Sequence, residues 1–257
     1  MKNSIRIIAL SLLILVGLQP QLWSFSFEPI SRSFSPAGRG ATQTFRLKND
    51  DNNFIAVRIK MLTRSTTPDG EEQNNPADEL FTVYPREVVL QPNSNQTVRI
   101  KWNGPSDMRK ELCYRVLVEQ MPVDFQASTN EVSNANEKSS LKIIFRYLGA
   151  IYITPEGAAP EVVLERHSID SDPINGRRLH LTLHNRGTRH TILHNLTLRI
   201  SSQKDHGSNV HLVESDQLKG VTGENLLPGA RRSFVIPVPS TVEGEELQVE
   251  FDYDAQL

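Results

Sequence analysis

One cysteine in 257 residues, Cys113, excludes an internal disulfide. The chain is therefore no disulfide scaffold, and its folding must rest on apolar cores. An excess of charge is missing too: 28 Lys and Arg stand against 30 Asp and Glu, a formal net charge of −2. The basic residues are scattered, which argues against nucleic acid as a partner, because its binders carry a one-sided basic patch. No Gly-rich phosphate loop and no Gly-x-Ser-x-Gly elbow occurs, and no nucleophile, base and acid can be nominated together. The reading is a protein that is not an enzyme, with no catalytic residues and no cofactor. His180/His184 and His190/His194 recur at i, i+4, but on a strand such rings lie ~13 Å apart, too far to share a metal. Cys113 falls in the strand pattern Leu112-Cys113-Tyr114-Arg115-Val116 and reads as a buried structural thiol.

Long apolar runs are absent with one exception. Lys2 and Arg6 flank the start of an apolar run from Ile7 to Leu18, which Pro20 breaks, and Ser24 is a small residue suited to a cleavage point. The run is shorter than the ~20 residues a membrane span needs, so residues 1–24 read as a signal peptide. The mature chain is expected outside the cytoplasm, with no stable membrane insertion.

What the remainder does have is alternation. Phe45-Leu47, Val57-Ile59-Met61, Val98-Ile100-Trp102, Leu141-Ile143-Phe145-Tyr147, Leu179-Leu181-Leu183, Leu196-Leu198-Ile200 and Leu247-Val249-Phe251 all repeat with period two. Such runs, separated by turn residues, predict half-buried antiparallel strands in a β-sandwich rather than helices. A faint internal repeat adds organisation. Thr42 to Asn49, a polar turn and Ile55-Ala56-Val57 are echoed by Leu179 to Asn185, a polar turn and Thr191-Ile192-Leu193. Leu90-Gln91-Pro92-Asn93 before Val98-Arg99-Ile100 is likewise echoed by Leu227-Pro228-Gly229 before Phe234-Val235-Ile236. The fold class expected is all-β, two tandem immunoglobulin-like β-sandwich domains. Clustered Pro and Gly in Pro155-Glu156-Gly157-Ala158-Ala159-Pro160 mark the linker. The domains are then 25–155 and 156–257.

Between Gln126 and Ser140 the chain is rich in Ser, Asn, Thr and Glu and has no aromatic residue. Such a tract cannot offset its ordering entropy and is expected to be mobile. It leads into Leu141–Tyr147, where Leu141, Ile143, Phe145 and Tyr147 share one face, and Lys142, Ile144, Arg146 and Leu148 the other. This is either a central sandwich strand or an apolar strand at a sheet edge. An open apolar edge suits pairing with another chain, with main-chain hydrogen bonds for affinity and alternate side chains for specificity.

Several motifs in fixed order carry a resemblance. Arg32-Ser33-Phe34-Ser35-Pro36-Ala37-Gly38 resembles the first-strand motif of the periplasmic pilus-assembly chaperones. Val98-Arg99-Ile100 after a Pro turn looks like their next landmark. Glu111-Leu112-Cys113-Tyr114-Arg115, followed by Glu119-Gln120-Met121-Pro122, is similar to their Glu-x-x-Tyr strand. Leu141 to Arg146, running on to Tyr152-Ile153-Thr154-Pro155, matches their donor strand without a gap. The resemblance implies a periplasmic chaperone that stabilises pilus or fimbrial subunits by lending them a β-strand and delivers them to an outer-membrane usher. It implies that Leu141, Ile143, Phe145 and Tyr147 enter the subunit, that the free protein can pair with itself as a homodimer, and that Arg32 anchors the subunit's C-terminal carboxylate. The family's second anchor is a lysine, and here that position is Ala150. Arg146, Arg99, Arg115 and Lys142 are the candidates to replace it. The competing reading is an exported immunoglobulin-like structural or adhesion module without chaperone activity.

Overall fold

The computed structural model describes residues 25–122, 144–172, 176–202, 210–242, 244 and 246–256. The signal segment, the tract from Gln126 to Ser140, and Leu141, Lys142 and Ile143 lie outside the described residues. Those described form strands and short 3-10 turns, with no α-helix among them, and none of their helices is long and apolar enough to cross a membrane.

The first half opens with β1 (Phe25–Glu28), β2 (Ser31–Phe34), β3 (Thr42–Asn49) and β4 (Ile55–Thr63). A small hairpin follows, β5 (Ser65–Thr66) and β6 (Glu72–Gln73), then β7 (Phe81–Tyr84) and β8 (Glu87–Leu90). Long strands β9 (Ser94–Trp102), β10 (Leu112–Met121) and β11 (Arg146–Ile153) complete it. They form two facing sheets, ordered β1-β3-β9-β7 and β2-β11-β10-β4-β8. The chain crosses from one sheet to the other between β1 and β2, at Pro29.

Alternation explains the packing. Phe45, Leu47, Val98, Ile100 and Trp102 point in from the first sheet, and Val57, Ile59, Met61, Val116, Val118, Ile151 and Ile153 meet them from the second. The Phe27 and Phe45 rings stack at 5.1 Å, while Phe81 contacts Trp102 and Tyr114 edge-on. Each such buried side chain is worth roughly 1.5–3 kcal/mol before ordering costs.

The second half repeats the plan with β12 (Val162–Asp172), β13 (Gly176–Asn185), β14 (Thr191–Ser202) and β15 (His211–Val213). It ends with β16 (Asn225–Leu226), β17 (Arg231–Pro237) and β18 (Leu247–Gln256). One sheet is β12-β13-β17, and the other is built on β14, which pairs with β15, β16 and β18. Leu179, Leu181, Leu183, Leu196, Leu198, Ile200, Phe234, Ile236, Leu247 and Val249 form its separate core. The architecture is thus two β-sandwiches in tandem.

The repeat read in the sequence has a physical basis at two corners. Asn49 ends β3 and is fully buried. Its Nδ2 donates to the carbonyls of Asn53 at 2.8 Å, Gln91 at 2.9 Å and Leu90 at 3.4 Å. Asn185 ends β13, is equally buried, and donates to the carbonyls of Arg189 at 2.8 Å and Leu226 at 3.0 Å. Each asparagine therefore ties the turn between two sheets to the turn that precedes a later strand. The stretch from Pro155 to Pro160 is held against the second sandwich: Thr188 N–H donates to Ala159 O at 2.8 Å and Arg186 N–H to Glu161 O at 2.7 Å. A side chain at Gly187 would sit 2.4 Å from Ala159 O, which is why that turn carries glycine.

Candidate functional site

The strand that ends the first half has two different halves. Along Arg146–Ile153 it pairs antiparallel with β10, but β2 joins it on the other side only from Ala150 to Ile153. Gln120 N–H donates to Phe145 O at 3.1 Å, so odd-numbered residues of this ladder bond β10 and even-numbered ones bond outward. Ala150 N–H takes up that outward direction first, donating to Ile30 O at 2.8 Å. The outward groups of Arg146 and Leu148 have no strand beside them among the described residues.

Side chains change character at the same place. Gly149, Ile151 and Ile153 face the core, and Tyr147 is half-buried against it. The Tyr147 hydroxyl donates to Phe25 O, and its ring meets Phe25 edge-on at 4.9 Å. One step outward on that face, Phe145 is 37% exposed, and Ile144 and Leu148 are 45% and 40% exposed. The described strand begins at Arg146, so the face read as Leu141-Ile143-Phe145-Tyr147 is present here only as an exposed Phe145 and an inward Tyr147. Leu141 and Ile143 lie outside the described residues.

On its outer face the five-stranded sheet carries an ordered set of charges. Register aligns Leu62, Arg115 and Ala150 in one row, Lys60, Leu117 and Leu148 in the next, and Arg58, Glu119 and Arg146 in a third. Arg146 lies 3.6 Å from Glu119 with most of its side chain in solvent, and Lys60 binds the same carboxylate. The Lys60 hydrogen bond, with the charges of Lys60, Arg146 and Arg58, holds Glu119 below the usual carboxylate range. Arg115 is directly beside Ala150. Its guanidinium grips Glu72 through Nε at 2.8 Å and Nη2 at 2.5 Å. Arg64 adds a third bond to Glu72 from Nε at 3.0 Å and donates from Nη1 to the Tyr152 hydroxyl at 2.9 Å.

The other sequence candidates scatter. Arg32 is exposed on β2, opposite Ile151, and its Nε donates to Gln43 Oε1 at 3.1 Å. It borders a shallow cleft of about 500 Å³ with Glu28, Pro29, Thr44, Phe45, Arg46 and Thr97. Arg99 is exposed on β9, between Thr44 and Tyr84 in the opposite sheet, away from Ala150. Lys142 lies outside the described residues. The structure thus brings Arg115 and Arg146 to one outer face, and sets Arg32 across the β2–β11 pair from them.

The junction of the sandwiches closes the site on its far side. Ala150 and Tyr152 pack with Leu227, and the Tyr152 ring lies parallel on His190 at 3.7 Å. Glu111 is buried there. It accepts from His190 N–H at 3.0 Å and from Thr154 Oγ1 at 2.8 Å, and its Oε1 lies 2.6 Å from His190 Nδ1. Burial, with Glu111 close by, pushes the Cys113 thiol well above its ordinary range, in keeping with an inert thiol. Between the sandwiches a cavity of about 400 Å³ is lined by Arg64, Lys110, Cys113 and the turn from Leu227 to Ala230. Sequence reading missed Glu72, Arg64, Tyr152 and the Glu111–His190 pair. Pro68-Asp69-Gly70 was the available signal for the first: it is a turn sequence, and it places the following acidic pair, Glu71 and Glu72, on the returning limb of a hairpin.

Comparisons with known proteins bear on the fold and the family. A family model described as pili and flagellar-assembly chaperone, PapD N-terminal domain, matches residues 36–158. The match starts just after Arg32 and includes the whole of β3 to β11. No curated protein matches the chain. Among solved structures, a chain of the chaperone–tip adhesin complex of CFA/I fimbriae biogenesis is 16% identical over 91% of this chain and 97% of its own, with a TM-score of 0.55. The class 5 fimbriae chaperone CfaA is 15% identical over 89% and 98%, with a TM-score of 0.55. The CsuC–CsuE chaperone–tip adhesion subunit complex of Acinetobacter baumannii gives 14% over 89% and 97%, with a TM-score of 0.56. These structural likenesses are to the two-sandwich fold, over nearly the full length of each chain. The first sandwich thus matches the N-terminal domain of the pili and flagellar-assembly chaperones.

Proposed function

We propose that this protein is a periplasmic chaperone that binds pilus or fimbrial subunits by strand donation and passes them to an outer-membrane usher. Residues 1–24 act as its export signal, 25–155 as the subunit-binding domain and 156–257 as the second domain. The single observation that supports this most is the half-open β11. Exposed apolar strand edges are hazards that proteins usually cover, yet here Ile144, Phe145 and Leu148 stand exposed where the strand has no outer neighbour among the described residues. A subunit lacking one strand would supply the missing ladder, while Leu141, Ile143 and Phe145 fill its groove. Tyr147, tied to Phe25, is then where the donor face passes into the chaperone's own core. On the same reading, the free protein would pair this edge with a second copy.

Arg32 is proposed as one carboxylate anchor, because guanidinium stays charged and pairs bidentately with carboxylate. Arg115 is the foremost of the remaining cations, since register puts it beside Ala150. The test is co-expression with a pilus subunit encoded beside this gene, with recovery of the complex from the periplasm. Wild type should recover it and Phe145→Asn should not. Recovery undiminished in Phe145→Asn would leave the structural-module reading in place.

A further inference from the structure

The hairpin of β5 and β6 belongs to the first sandwich, but its tip rests on the second. Its root is tied down: Arg64 N–H donates to Cys113 O at 3.0 Å and Thr63 N–H to Asn75 O at 2.8 Å. Its strands pair only at Ser65 with Gln73 and Thr66 with Glu72. The tip closes on itself, with Thr67 N–H donating to Glu71 O at 2.9 Å and Gly70 N–H to Thr67 O at 3.0 Å. Pro68 O, at that tip, accepts from Ser233 N–H at 2.7 Å and from Arg232 Nη1 at 2.6 Å, both on β17.

Strand β17 has a place for such a contact because β13 is its only partner strand in the sheet. Val238 N–H donates to Arg177 O at 2.9 Å, so even-numbered residues of β17 bond β13. Arg231, Ser233 and Val235 turn their backbone groups the other way, to the open edge. The hairpin tip takes up Ser233 of that edge. Beside it, Arg232 is 8% exposed, is held by Glu224 at 2.7 Å, and lies over the Phe234 ring at 5.1 Å. Gly70 has φ +94°, and a Cβ there would stand 2.3 Å from the guanidinium, so the tip fits its seat only with glycine.

These contacts close a circuit. Glu224 is followed by Asn225, whose Nδ2 donates to the Tyr152 hydroxyl at 2.8 Å. Arg64, which leads into β5, donates to the same oxygen at 2.9 Å. The path from Arg64 through the hairpin tip, Arg232, Glu224, Asn225 and Tyr152 thus crosses between the sandwiches twice. Pro68 is four residues beyond Arg64, up to about 13 Å along an extended limb. Two rigid bodies held at one point can still turn about it, whereas a second point set apart fixes the angle. That second point is also easily given up. Pro68 is exposed, neither it nor Gly70 belongs to a core, and Arg232 keeps Glu224 when the tip leaves.

We propose that the β5–β6 hairpin is a releasable latch between the sandwiches, with Pro68 as its bolt and Arg232 as its catch. Closed, it fixes the angle at which the sandwiches stand. Open, it lets the second sandwich turn about the Glu111–His190 contact while both cores stay packed. The cavity between the sandwiches then widens, since Ser65 and Thr66 of the hairpin form one wall and Leu227 to Ala230 the other.

The test follows angle and latch separately in the full chain. Nitroxide labels at Lys101→Cys and Lys219→Cys, exposed positions on the two sandwiches, in a Cys113→Ser chain report the distance between them by dipolar coupling of the spins. The unaltered latch should give one narrow distance distribution. Gly70→Ala and Arg232→Met should each make it at least twice as broad. In the same variants the Ser233 amide, bonded only to the hairpin, should exchange its hydrogen at least tenfold faster. The Phe234 amide, on the β13 side of the strand, should exchange as in wild type. Gly70→Ala touches neither core and covers the case in which Arg232→Met does not fold. Distributions that stay narrow in Gly70→Ala, or Ser233 exchange that does not change there, would overturn the proposal. So would equal acceleration at Phe234, which would mean that the second sandwich itself had come apart.

Discussion

Glu111 Oε1, on the first sandwich, lies 2.6 Å from Nδ1 of His190, on the second, and the Glu111 side chain reaches no solvent. The same carboxylate accepts from the His190 backbone, and Glu111 N–H donates to Thr188 O at 2.9 Å. With Tyr152 stacked on the imidazole, this pair fixes how the sandwiches meet. Glu111 also lines, with Arg64, the cavity between the sandwiches.

Removing one partner of a buried charged contact leaves the other unsatisfied, which typically costs ~3–5 kcal/mol. Glu111→Ala should therefore lower stability by ~3 kcal/mol in urea unfolding, and should separate one transition into two as the sandwiches uncouple. A single transition with an unchanged midpoint would show that the junction does not depend on this pair.

The corner asparagines should behave as a matched pair. Asn49→Leu and Asn185→Leu each strand buried carbonyls, at ~1–3 kcal/mol per unsatisfied group. Each is expected to cost ~2–3 kcal/mol, and the double variant the sum, because the corners belong to separate cores. Denaturant midpoints of the three variants check this. A loss confined to one of the two corners would break the equivalence.

That equivalence was legible in the sequence, because Thr42–Asn49 and Leu179–Asn185 are local alternations that both end in asparagine before a polar turn. Their buried faces followed from period two alone, and Leu47, Ile59, Ile100, Leu181 and Leu198 are all inside. The cleft was far less legible. Arg115 became the neighbour of Ala150 only through strand register, which alternation does not set for non-local pairs. Glu72 reaches Arg115 across 43 positions, and Glu111 reaches His190 across 79, separations for which a single sequence carries no local signal. Period two also placed Tyr147 with Phe145, correctly for the face; that one turns inward and the other stays out depends on where β1 ends and β2 takes over.

Stability at acid pH should expose the Glu72 contacts. Its folded value of about 2 lies below its ordinary 4.5, so its stabilisation is complete above pH 4.5 and is lost as pH falls toward 2. Wild type should exceed Glu72→Gln in melting temperature at pH 6, and the gap should close between pH 4.5 and 2. A gap that stays constant over that range would mean that Glu72 is not paired as described.

The cation candidates divide by position. Arg32→Ala and Arg115→Ala should each reduce subunit recovery more than tenfold, since charge-assisted bidentate contacts contribute ~1.5–3 kcal/mol each. Arg99→Ala, on the far sheet, and Arg146→Ala, mostly in solvent, should stay within about twofold. Loss of recovery with Arg99→Ala at an unchanged melting temperature would relocate the anchor.

Strand donation itself is decided most directly by one comparison: melting temperature against subunit recovery for Phe145→Asn and Ile143→Asn. Phe145 is exposed in the free chain, so its replacement should leave the melting temperature within a few degrees of wild type, whereas loss of a core phenylalanine would cost ~3–5 kcal/mol. Subunit recovery from the periplasm should nonetheless fall at least tenfold in both variants. Recovery that persists, or that falls only in step with a large loss of thermal stability, would contradict the donor strand.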